Sequence, residues 1–203
     1  MKNAVGILGG TFNPVHNGHI AVAEAAVREF DLQKVIFLPN GNPPHKQDSS
    51  IVSAKHRYNM ISLAISDNPL LDISDYEIKR TEPSYTIDTQ RALKKIYNCD
   101  LYFIIGADSL YTLHQWKSYD LLIKECSFIV ADRNCDEGSD IEAACRALRD
   151  KGCDIRTLRM DCVDVTSTQV RHMISNGIDV NNYIPDSVVR YICENALYTC
   201  KDQ

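Results

Sequence analysis

Apolar residues in this chain fall into two patterns. Unbroken runs stand at Ala4 to Leu8, Val35 to Leu38, Leu101 to Ile105 and Phe128 to Ala131. Runs this short, bounded by glycine, proline or polar clusters, predict strands buried on both faces. Leu71 to Ile78 alternates apolar and polar positions as a strand does, and Ile155 to Met160 is the last strand candidate. Between them lie segments of helical spacing: Ile20 to Phe30, Ala54 to Ile65, Ile87 to Tyr97, Leu110 to Trp116, Tyr119 to Cys126 and Ile141 to Arg149. Val165 to Arg171 opens a further helix that Asn176-Gly177 ends, with Thr166 or Ser167 as a natural N-cap. A final helix, Pro185 to Leu197, starts with proline. Strands and helices alternate throughout. The pattern predicts one α/β domain over residues 1–203, a doubly wound parallel sheet with right-handed crossovers, flanking helices and a small C-terminal helical part.

Composition narrows the partners. Of 203 residues, 44% are hydrophobic and 24% charged, ordinary for a globular domain that can bury a proper core. The net charge of −5 argues against a general nucleic-acid surface, although a local basic pocket fits within it. No apolar stretch approaches membrane-spanning length and no signal peptide is evident, so the expectation is a cytoplasmic protein. Eight cysteines are scattered without a C-x-x-C pair or a zinc spacing, which predicts reduced, mostly buried thiols and no protein-held metal.

The chemistry concentrates in Gly9 to His19, which reads G-G-T-F-N-P-V-H-N-G-H between a strand and a helix. Gly9 and Gly10 leave backbone amides bare where a phosphate could approach. His16 and His19, three apart at a helix start, share roughly one face with the positive dipole end, and Gly18 between them removes a side chain that could block a ligand. The string is neither the G-x-G-x-x-G fingerprint nor a P-loop. Pro43-Pro44 presents His45 and Lys46 just after a strand, where ligands of open α/β sheets bind. Ser167 and Arg171 lie four apart on one helix face. No serine or cysteine stands in a nucleophile motif, which favours direct transfer between two bound substrates.

The eleven-residue string resembles the G-x-F-D/N-P-x-H-x-G-H signature of the nucleotidylyltransferase superfamily. Further matches are P-N-x-x-P-P-H-K at Pro39 to Lys46, P-S-Y-T at Pro83 to Thr86, I-I-G-A-D at Ile104 to Asp108 with Trp116 downstream, and S-T-x-V-R at Ser167 to Arg171. Tyr183-Ile184-Pro185 through Leu197-Tyr198 matches an ending of the same kind. Together they resemble the bacterial nicotinate-nucleotide adenylyltransferases over nearly the whole chain. The resemblance implies a Rossmann-like fold and the joining of ATP to nicotinate mononucleotide, with Mg²⁺ carried by ATP and bridging the leaving phosphates.

It also implies roles. His16, His19, Ser167, Thr168 and Arg171 hold the ATP phosphates, with His16, His19, Lys46 and Arg171 catalytic. Gly9, Gly10, Thr11 and Phe12 lend backbone contacts, and Arg133 faces ATP. Lys46, with His45, meets the phosphates bridging the substrates, while Gly106 and Asp108 approach a ribose. Trp116 stacks on the pyridine ring, and the amides around Tyr85 and Thr86 bind its carboxylate. Two positions depart from the pattern: Asn13, where aspartate is frequent, and Asn134-Cys135, where Pro-Gly is frequent after Arg133.

Other readings stay open at this level. Pantetheine-phosphate adenylyltransferases share the first and last motifs but should lack P-S-Y-T and the tryptophan. Trp116 alone is equally a packing residue, Asp108 a helix cap, Arg171 a solvated charge, and the whole chain a nucleotide sensor. Oligomeric state is open, and a homo-oligomer is compatible with the sequence.

Overall fold

The computed structural model describes residues 3–41, 51–132, 140–161 and 163–199. Its strands are β1 (Ala4–Gly10), β2 (Lys34–Pro39), β3 (Leu71–Ile73), β4 (Asp100–Gly106), β5 (Ser127–Asp132) and β6 (Ile155–Arg159). The helices are α1 (Asn17–Phe30), α2 (Ala54–Ala64), α3 (Thr86–Tyr97), α4 (Ala107–Thr112), α5 (Tyr119–Glu125), α6 (Ile141–Arg149), α7 (Ser167–Ser175) and α8 (Asp186–Glu194). All strand pairs are parallel, in the order β3-β2-β1-β4-β5-β6. The chain therefore leaves β1 toward one edge of the sheet and returns at β4 on its other side. That reversal is the topological switch point, where ligands of such sheets bind at the carboxyl ends. The expected Rossmann-like doubly wound architecture is the one found.

The unbroken apolar runs follow from having helices on both faces. Leu8, Phe37, Ile104 and Ile129 face one core, shared with Val22, Met60, Val170 and Val188 of α1, α2, α7 and α8. Ile7, Ile36, Phe103 and Phe128 face the other, shared with Leu93, Leu110, Leu122 and Cys145. Each fully buried aliphatic or aromatic side chain in these cores contributes about 1.5–3 kcal/mol.

Several predicted boundaries move. The strand expected over Leu71 to Ile78 ends at Ile73. After Ser74 N–H bonds Phe37 O, the chain turns, closed by Lys79 N–H to Asp75 O and the Lys79–Asp75 ion pair. β2 runs on through Leu38 to Pro39 beyond the last pair, Phe37 with Ile73, so it is this turn that ends the strand and not the end of its partner. The helix expected from Leu110 begins at Ala107, directly on β4, and passes into a 3₁₀ turn (Leu113–Gln115) before Trp116. The last helix ends at Glu194, because Ala196 and Tyr198 take left-handed φ values of 48° and 62°.

Candidate active site

The loop leaving β1 is built around its small residues and one aromatic. A Cβ at Gly9 would meet open space, whereas one at Gly10 would press on the Phe12 ring at 3.0 Å. Phe12 itself is buried at φ 51° and packs against Phe37 and His19, with centroids 5.5 and 4.9 Å apart. His16 is the N-cap of α1, and its backbone N–H donates to His19 Nδ1 at 3.2 Å. With Nδ1 an acceptor, the His19 ring carries its proton on Nε2. The two imidazoles lie 3.6 Å apart, His16 buried and His19 half-buried. The expectation for Gly18 needs correcting. A Cβ there would strike His16 Nδ1 at 3.0 Å and Val165 at 3.3 Å, so the glycine makes room for an imidazole and for the chain entering α7.

The chain's far end closes on the same loop. Thr166 caps α7, reciprocally with Gln169. At the first position of α7 Ser167 Oγ donates to Pro14 O at 2.8 Å, and one turn on Arg171 Nη1 donates to Asn13 O at 2.9 Å, with Nη2 3.3 Å from Thr168 Oγ1. Arg171 is thus not a solvated charge. Gly106 and Asp108 lie at the end of β4, beside β1. Gly106, not Asp108, is the N-cap of α4, and Asp108 is exposed in the first turn. His45, Lys46 and Arg133 lie outside the described residues, as do the Pro43-Pro44 loop and Asn134-Cys135.

A second concavity brings together residues far apart in sequence. A cavity of about 800 Å³ is lined by Asn40, Ser84, Tyr85, Thr86, Thr112 and Trp116, with Gln115 and Lys117 at its edge. Tyr85 is the N-cap of α3, whose Asp88 and Thr89 amides return to Tyr85 O. The Thr86 and Ile87 amides are left at the helix's positive end. Asp88 in that first turn is offset by Lys117 at 3.1 Å, which also sits 4.0 Å over the Tyr85 ring. Trp116 is half-buried, packing on the second core while lining the cavity.

Four contributors escaped the sequence. Arg57 of α2, 1% exposed, donates to Thr11 O at 2.8 Å, Asn40 O at 2.6 Å and Gly41 O at 3.1 Å. Burial pulls its pKa below the ordinary arginine value, against a smaller upward influence from Tyr198. Asn40 N–H donates to Gly10 O at 3.1 Å, so the loops after β1 and β2 form one unit. Tyr198 Oη donates to Asn13 Oδ1 at 2.8 Å, and Val52 N–H bonds the same oxygen at 3.2 Å. Lys117 is the fourth. A mid-helix arginine or a tail tyrosine carries no local signal of such contacts.

The arrangement suits anions and offers no protein nucleophile. Among the described residues no three His, Cys, Asp or Glu converge as for a metal. Cys99, Cys126, Cys145, Cys153 and Cys193 are free. Burial pushes the Cys126 thiol up to about 12 and Cys153 to about 11, so neither is a thiolate at neutral pH. No helix among the described residues is long and apolar enough to cross a membrane.

Residues 7–173 match the model of the cytidylyltransferase-like family. A relative from Thermoanaerobacter sp. (strain X514), named "probable nicotinate-nucleotide adenylyltransferase", is 43% identical over 96% of this chain and 93% of its own. One from Moorella thermoacetica bearing the same name is 40% identical over 96% and 91%. Plasmodium falciparum nicotinic acid mononucleotide adenylyltransferase, solved complexed with NaAD, superposes with a TM-score of 0.79 at 20% identity, covering 97% of both chains. At that identity the likeness speaks for the fold. The sequence matches decide the family, and the chain belongs to the cytidylyltransferase-like family, among its nicotinate-nucleotide adenylyltransferases.

Proposed function

We propose that the protein transfers the adenylyl group of ATP to nicotinate mononucleotide, giving nicotinate adenine dinucleotide and pyrophosphate. One observation supports the reading: the loop after β1, on which His16, His19, Ser167 and Arg171 converge, is joined through Gly10 O to Asn40, which also lines the aromatic cavity beside the first turn of α3. Two substrates held side by side need no enzyme nucleophile. The mononucleotide phosphate attacks the α-phosphorus in line, and the bond to the leaving pyrophosphate breaks.

The residues divide the work. His16, His19, Ser167, Thr168 and Arg171 take the ATP phosphates, with Gly9, Gly10, Thr11 and Phe12 presenting the loop against them. The His19 Nε2–H and the Arg171 fork stabilise charge developing on the leaving phosphates. Lys46, with His45, reaches the bridging phosphates, Arg133 faces ATP, and Gly106 and Asp108 approach a ribose. Trp116 stacks on the pyridine ring while the Thr86 and Ile87 amides take its carboxylate. Mg²⁺ arriving with ATP supplies further neutralisation of the phosphates. Soluble substrates and free thiols fit a cytoplasmic enzyme.

The test is pyrophosphate release. It should require both ATP and nicotinate mononucleotide and run faster with the acid than with nicotinamide mononucleotide. Binding of ATP without release would make the protein a sensor and overturn the reading.

A further inference from the structure

Two guanidiniums grip the loop after β1, and neither has a carboxylate among its described partners. Arg57 meets only the carbonyls of Thr11, Asn40 and Gly41. Arg171 meets Asn13 O and Thr168 Oγ1. Elsewhere cations do pair with carboxylates, as in Arg91–Glu125 and Arg149–Glu142. A cation taken from water without a counter-charge is costly, and carbonyl dipoles offset only part of that.

The Asn13 side chain belongs to the same loop and is 2% exposed; its Oδ1 accepts from Val52 N–H and from Tyr198 Oη, a phenol within the electrostatic influence of both arginines. An aspartate has the same shape and would accept the same two bonds while adding one negative charge. Tyr198 adds none, since burial pushes its phenol up despite the influence of both Arg57 and Arg171. The neutral amide thus keeps the loop's geometry and leaves the positive charge uncancelled.

We propose that Asn13 is a positioning residue that sets nucleotide affinity, holding the phosphate loop with a neutral acceptor so that the ATP phosphates, not the protein, neutralise Arg57 and Arg171. The inference rests on the reading that ATP phosphates occupy this crevice. It separates the two bonds accepted by Oδ1, which an aspartate can keep, from the charge, which it changes.

The experiment is Asn13→Asp. Calorimetry with Mg–ATP in low salt should show Kd weakened about tenfold, the scale of one added charge a few ångströms from a phosphate in a partly screened crevice. The deficit should shrink as salt rises. The ligand-free variant should melt higher than wild type, because the carboxylate serves as the missing counter-charge. KM for ATP should rise with kcat within ~3-fold. A merely structural role predicts unchanged or tighter ATP binding in a folded variant, and that result overturns the inference. So does a variant that fails to fold, since the carboxylate must be accepted where Val52 N–H and Tyr198 Oη now hold the amide oxygen. Wild type that neither binds ATP nor releases pyrophosphate would sink the enzyme reading instead. Wild type that turns over while its ATP affinity ignores Asn13→Asp would sink only this one.

Discussion

The backbone N–H of His16 points at Nδ1 of His19, 3.2 Å away, and thereby decides which His19 nitrogen carries the proton. The neutral ring is left with Nε2–H as its donor, beside the bare end of β1. Charge stabilisation by that donor then needs no protonation step of its own.

His19→Ala should lower kcat by ~10²-fold or more in the pyrophosphate-release assay, the scale of losing one preorganised donor. Because His19 is the N3 residue of α1, the variant also loses the bond to the cap. A thermal melt separates the two effects. A folded variant with near-normal kcat would reduce His19 to a cap.

Arg171→Lys tests the fork. One ammonium cannot hold Asn13 O and Thr168 Oγ1 as the guanidinium does while also meeting a phosphate. We expect kcat/KM for ATP to drop by at least ~10-fold, about 1.4 kcal/mol of transition-state stabilisation. Full activity in the lysine variant would show that only the positive charge matters.

Substrate choice should follow the carboxylate cradle. Trp116→Ala should raise KM for nicotinate and nicotinamide mononucleotides alike and leave their ratio nearly unchanged, because stacking treats both rings alike. Thr86 is the first residue of α3, the position where proline is best tolerated, and Tyr85 before it has the extended φ of −115° and ψ of 139° that a following proline needs. Thr86→Pro should therefore fold, delete one amide donor and erode the preference for the acid. Collapse of that preference in Trp116→Ala, with Thr86→Pro unaffected, would move the carboxylate site to the tryptophan.

Glu77 offers a stability test away from the chemistry. Burial pushes its carboxyl above the ordinary 4.5, against the smaller effects of a 2.8 Å bond from Thr89 Oγ1 and of Arg80. The folded state holds this proton more tightly than the unfolded chain, so the contribution is favourable at low pH and is lost as pH rises from 4.5 through the higher folded value. Glu77→Gln keeps the acceptor for Thr89 and removes the buried charge. The variant should melt higher than wild type at pH 7, with the difference vanishing below pH 4.5. Equal melts at pH 7 would show the carboxylate to be compensated there.

Local patterns proved sufficient for local structure. The runs Val35 to Leu38 and Phe128 to Ala131 announced buried strands because a strand covered on both faces must be apolar throughout. The N-cap at Thr166 or Ser167, which the structure gives to Thr166, and the His16–His19 spacing were legible because the groups involved lie within one turn. Leu71 to Ile78 misled for the converse reason: alternation is compatible with a strand but does not reveal the turn closed by Lys79 N–H to Asp75 O, which takes the chain away while β2 still runs on to Pro39.

By itself, then, the sequence determined the order of elements, the glycine loop with its histidines, and where the helices that follow such loops begin. Each depends on residues a few positions apart, whose geometry the backbone dictates. Only the tertiary structure decided that β1 and β4 are neighbours, that Arg57 would tie Thr11 to Asn40 and Gly41, and that Tyr198 would close on Asn13. It also gathered Asn40, Thr86 and Trp116 around one cavity. Such contacts are made by groups 16 to 185 positions apart. Nothing in a chain's local periodicity encodes them, because they are selected by burial, where every carbonyl, hydroxyl and cation removed from water must find its partner wherever the fold delivers one.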